Sequence, residues 1–99
     1  MKIPKYIKIA GNVIKIKVDH AYCLAEGIHG LSDPEKNEII LDDYKKVGYP
    51  KEKNFQVLLH EIVHMCNATL GLNAAKFDGE QYVESLSQLL AQVLPQLEG

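Results

Sequence analysis

His60 and His64 stand four residues apart, with Glu61 directly after the first, in the run His60-Glu61-Ile62-Val63-His64. On a helix an i,i+4 pair shares one face, one turn apart, so both imidazoles can close on a single zinc ion. Glu61 then stands where a general base is needed for a metal-activated water, the chemistry of zinc-dependent peptide-bond hydrolysis. Two histidines leave such a site one protein ligand short. No histidine follows His64, so the third ligand is sought among Asp78, Glu80 and Glu84.

Asp78 has a better role as a helix cap, and the dipole of the first turn accounts for Glu80. Glu84 falls mid-helix, opposite the main apolar stripe, with Ser87, Gln88 and Ala91 on its side. Those small or amide-bearing neighbours would let the helix carrying the two histidines approach closely. Glu84 is therefore the first choice as third ligand and Glu80 the second. Gln88, one turn beyond Glu84, is placed to hydrogen-bond a ligating imidazole. His20 and His29, upstream, read as surface or groove residues. Tyr22, His29 and Tyr82 are the polar candidates for steadying charge on a tetrahedral oxygen.

These residues need elements to hold them. Ile7 and Ile9, then Val13, Ile14, Ile16 and Val18, alternate with lysines on either side of Gly11-Asn12, the pattern of a two-strand hairpin. Between Tyr22 and Leu31, Gly27 and Gly30 flank Ile28-His29 and suggest a short irregular strand with close backbone approaches. Residues 32–37 form a turn cluster, and Glu38 to Asp42 reads as the next strand. A single helical turn is expected between Asp42 and Tyr49.

Pro50 opens a long helix reaching about Leu70, with Gly71 as its C-cap. Val57, Leu58, Ile62, Met65 and Thr69 share an arc of about 140° at 100° per residue. His60 and His64 border that arc and Glu61 lies inside it. Cys66 lies about 200° around from His64 and reads as a small buried hydrophobe. A second helix begins at Asp78, with Gln81 in the capping-box position and Tyr82, Val83, Leu86, Leu89, Leu90, Val93 and Leu94 as its stripe. The expected fold class is α+β: a small antiparallel or mixed sheet of three or four strands packed on two main helices, the first carrying the histidine pair. Ninety-nine residues suit one domain over 1–99.

Composition narrows the surroundings. A formal net charge of -2 provides no basic field for nucleic acid or an anionic membrane. The N-terminus lacks a signal-peptide core, and no apolar run reaches membrane-spanning length. Two cysteines make no disulfide framework, so a cytoplasmic, reducing setting is expected.

Taken together, these residues resemble the minimal zincin-like metallopeptidases, small proteins often encoded in phages and prophages and distantly related to the peptidase domains of phage-repressor antagonists. The resemblance lies in Leu58-Leu59-His60-Glu61-Ile62-Val63-His64, Leu70-Gly71, Val83-Glu84-Ser85-Leu86 and the tail Leu89 to Leu94. It extends to His29-Gly30, Ser32-Asp33-Pro34 and Ile39-Ile40-Leu41-Asp42. It implies a minimal zincin fold and one zinc ion held by His60, His64 and Glu84, a gluzincin-type set, with Glu61 as base. Gln88 stands where similar proteins tend to carry asparagine.

The expected partner is a peptide or protein cut internally and added as a strand to the edge of Ile39–Asp42. The alternative is a zincin fold kept for binding or regulation without catalysis.

Overall fold

The computed structural model describes residues 3–9 and 11–70, with backbone only for Thr69 and Leu70, together with Glu80, Val83, Glu84, Ser87 and Ala91. It is a small α+β domain with a four-stranded mixed sheet and, among the described residues, three bounded helices.

The lysine-isoleucine alternation forms β1 (Tyr6–Ile9) and β2 (Asn12–Val18), paired antiparallel from Tyr6 opposite Lys15 to Ile9 opposite Asn12. Period-two alternation sends Ile14 and Ile16 into the core, while Lys15 stays in water. Gly11, at φ 84°, supplies the left-handed residue of the turn.

The stretch after β2 corrects the expectation of an irregular strand. His20–Glu26 is a seven-residue helix, α1. The Asp19 side chain caps it by accepting from the Tyr22 backbone N–H, and Gly27, at φ 67°, ends it. The apolar stripe is too thin to announce a helix, since Cys23 is its one buried residue. Close backbone approach holds at Gly30 and fails at Gly27, where an added Cβ would meet open space.

β3 (Gly30–Asp33) and β4 (Glu38–Leu41) form the second antiparallel pair, with Asn37 in the left-handed region at their turn. The strand order is β1-β2-β4-β3, because β4 also lies parallel to β2. The Ile39–Asp42 strand is therefore no edge: Ile39 and Leu41 have partners on both sides and both are fully buried. Its backbone groups are already used, so no peptide can add there. The sheet edge beside the histidines is β3.

One helical turn, α2 (Tyr44–Val47), capped by the Asp43 side chain, leads to α3 (Lys51–Leu70). α3 crosses β3 and β4 and buries Leu58 and Met65 against Ile14, Ile16, Ile39 and Leu41. Each such side chain contributes about 1.5–3 kcal/mol on burial, so this layer fixes how α3 is turned over the sheet. Cys66, on the far side, is half-buried. No helix among the described residues is long and apolar enough to cross a membrane.

Glu80, Val83, Glu84, Ser87 and Ala91 are each helical. Val83 and Ser87 are fully buried, and the Ser87 hydroxyl donates to the Val83 carbonyl at 2.7 Å. The expected roles of Gly71, Asp78, Gln81, Tyr82, Leu86, Gln88, Leu89, Leu90, Val93 and Leu94 lie outside the described residues.

Candidate metal centre

The turn of α3 fixed by Leu58 and Met65 places His60 and His64 at the border of the core. Their side chains keep 15% and 14% of their accessibility, and the ring centroids are 4.9 Å apart. Glu80 reaches over both rings: its carboxylate stands 3.1 Å from His60 Nε2 with one oxygen and 3.0 Å from His64 Nε2 with the other. One ligand atom from each of His60, His64 and Glu80 can be chosen so that all lie within 4.8 Å of one another. Ligands on a tetrahedral zinc at about 2.1 Å lie roughly 3.4 Å apart, so a modest contraction would accommodate the ion. Two imidazoles and a carboxylate also form a suitable zinc donor set.

Glu84 takes a different position from the one expected. It lies on the other nitrogen of His60: Nδ1 donates to Glu84 Oε2 at 2.9 Å, while Gln56 Nε2 donates to Oε1 at 2.8 Å. A proton on Nδ1 leaves Nε2 with a lone pair for a metal. The physical reason for the difference is helical spacing: Glu80 and Glu84 are one turn apart on one face, and each meets a different end of the same imidazole. Gln56 lies one turn before His60 on α3, a signal in the spacing that sequence reasoning passed over.

Glu61 is 6% exposed. Burial pushes its carboxyl above the ordinary glutamate range, opposed by the nearby His60 and His64 and by a hydrogen bond with the Ser32 side chain; Glu80 pushes it further up. Gly30 makes the fit possible. An added Cβ there would lie 2.7 Å from Val57 Cγ1 and 3.1 Å from Glu61 Oε2, so the missing side chain leaves room for Val57 first and for Glu61 beside it.

Two cavities open on this group. One of about 330 Å³ is bordered by β3 at Gly30, Leu31 and Ser32 and by His60, His64 and Glu80. The other, of about 290 Å³, has His29, Gln56, Val57 and Glu84 around His60 and Glu61. His29 is thus a groove residue, edge-on to the Tyr49 ring at 5.8 Å. His20 is held by Asp42 at 2.7 Å and takes no part in the metal cluster. Tyr22, on exposed α1, borders neither cavity.

Fold and side chains define a small α+β domain whose His60, His64 and Glu80 can hold a divalent metal ion. No family model matches the chain, and neither does any curated protein or solved structure.

Proposed function

We propose that this chain is a zinc-dependent endopeptidase of the minimal zincin type, with the ion held by His60, His64 and Glu80. The observation that carries this reading is the meeting of three ligand atoms beside a buried carboxyl, Glu61, whose pKa is raised. A bound zinc ion would supply Lewis acidity, lowering the pKa of water and polarising a carbonyl.

The protein's own groups do the rest. Glu61 accepts a proton from the attacking water and returns it to the departing amine nitrogen. Glu84 and Gln56 hold the His60 ring with Nδ1 protonated, and Glu84 occupies the supporting place in this scheme. The edge of β3, bordering the cavity that contains His60, His64 and Glu80, is where an extended peptide would pair. A cytoplasmic setting, with Cys23 and Cys66 as free thiols, belongs to the same reading.

A second reading has a specific observation behind it. The Glu80 carboxylate places one oxygen on each imidazole, which suits a site that holds metal for structure or regulation without turnover.

One experiment separates the two. Zinc content by elemental analysis is expected at one ion per chain, and an unfolded protein substrate such as casein is expected to be cleaved by wild type and spared by Glu61→Gln. Zinc uptake without any cleavage would favour the second reading. No uptake on titration would remove both.

A further inference from the structure

Asp42 follows the last residue of β4 and is 3% exposed, an environment in which a carboxylate needs partners. One of its oxygens has them: Oδ1 accepts from His20 Nδ1 at 2.7 Å and from the Asp43 backbone N–H at 2.8 Å. The other does not. Facing Oδ2 is His29 Nδ1 at 3.9 Å, within ion-pair range but beyond hydrogen-bond reach, and no described residue donates a hydrogen bond to that oxygen. No described polar side-chain atom is both sealed from solvent and unpaired, so Oδ2 keeps a narrow opening.

Asp42 lines a cavity of about 460 Å³ together with Leu24, Ile28, His29, Lys46 and Val47. The volume is in the range of ligand pockets. Ile28 and His29 also line the cavity around His60 and Glu61, so the two spaces share a wall. A peptide lying in one would pass beside the other.

We propose that this second cavity binds a basic side chain, arginine or lysine, through Asp42 Oδ2, and that it selects peptides for the metal centre. The cation site stands on Asp42 and its cavity; its link to peptides rests on the peptidase reading. A carboxylate oxygen that no described residue donates to, on a side chain otherwise buried, suits an N–H group carrying positive charge. An anion would meet the Asp42 charge at close range, and Lys46, also on the lining, is exposed to water. Leu24, 71% exposed on α1, gives with Ile28 and Val47 an apolar wall for the methylene stem that a long basic side chain has and an amino terminus lacks.

The test is an NMR titration of the ¹⁵N-labelled chain, with and without zinc, using N-acetyl-arginine amide and its neutral isostere N-acetyl-citrulline amide. Leucine amide (a free ammonium) and N-acetyl-glutamate amide complete the set. Arginine is expected to shift His20, His29, Asp42 and Val47 saturably, with citrulline about tenfold to a hundredfold weaker, the range of a charge-assisted hydrogen bond. Asp42→Asn is expected to abolish that difference; should this variant fail to fold, the arginine-to-citrulline ratio in wild type decides alone. Equal responses to both, or a stronger response to glutamate, overturn the site. A response to leucine amide matching that to arginine overturns the side-chain assignment in favour of an amino terminus.

Cut sites in casein, mapped by mass spectrometry, are expected to show a basic residue at a fixed distance in wild type and not in Asp42→Asn. Cleavage without that preference and without arginine binding overturns this proposal and leaves the peptidase intact. Arginine binding by a chain that cleaves nothing supports the cation site and overturns the peptidase.

Discussion

Among the described residues, histidines and carboxylates gather in two places, arranged inside out with respect to each other. On α3 the imidazoles of His60 and His64 turn their Nε2 atoms toward a shared point that Glu80 closes from outside. At the end of β4 the carboxylate of Asp42 is central, with His20 and His29 around it. The first arrangement gathers lone pairs from three residues and suits a metal ion. The second offers an acceptor oxygen that no described residue donates a hydrogen bond to, and suits a donor. Residue type alone would call both groups metal sites; the direction in which nitrogen and oxygen point separates them.

The largest effect that would test this contrast belongs to the α3 group. Replacing Glu61 with Gln is expected to lower turnover on casein by about 10²–10⁴-fold, the range for loss of a general base, with zinc content unchanged. Asp42→Asn is expected to shift which peptides are cut and leave a chain that still cuts. In metal-free protein Glu61→Gln has a further consequence. The Glu61 carboxyl is raised in the fold, so the fold favours its protonated form, and that contribution fades as pH rises through the raised pKa. Thermal melts should therefore find the glutamine variant the more stable at pH 7, with the gap closing toward pH 4.

Next come the two carboxylates that share His60. Glu80→Ala is expected to abolish stoichiometric zinc binding by calorimetry, while Glu84→Gln weakens it about tenfold to a hundredfold, as for a partner that orients a ligand. The reverse order would return the ligand role to Glu84.

Smaller effects come from the glycines that shape each group. Gly30→Ala drives a methyl against Val57 and Glu61 and should cost about 1–3 kcal/mol in denaturant melts. Gly27→Ala meets no neighbour but must hold φ near 67°, at about 1–2 kcal/mol. No measurable cost at Gly30 would show that α3 does not press on β3 as described.

The smallest expected signal is chemical. Cys23 is fully buried, and its thiol is pushed up to about 11 by burial, then by Asp42 and Asp19. Iodoacetamide at pH 8 should therefore modify half-buried Cys66 first and leave Cys23 until the chain unfolds.

The sequence made some of this readable and withheld the rest for physical reasons. HExxH spacing, the apolar arc of α3 and the alternation of β1 and β2 are local patterns: Leu58 and Met65 of the arc and Ile14 and Ile16 of β2 are buried as periodicity requires, while Val18 on the same strand face is exposed and Leu59 and Val63 are buried outside the arc. α1 was hidden because seven residues with one buried side chain make no stripe, although Asp19 and Gly27 marked its ends. The interior position of β4 depends on parallel pairing with β2, a long-range choice that alternation within Glu38–Leu41 cannot express. The order of Glu80 and Glu84 was hidden for a third reason. Both lie on one helix face, and only the height at which that helix docks decides which of them meets Nε2.

Docking height has one more implication. Glu80 grips one end of the His60 ring and Glu84 the other, so a single imidazole is read by two successive helical turns at once. An ion held there would act as a rivet between segments of the chain twenty residues apart. Loading and docking would then be one equilibrium: whatever loosens Val83 and Ser87 from their buried seats would also release the ion.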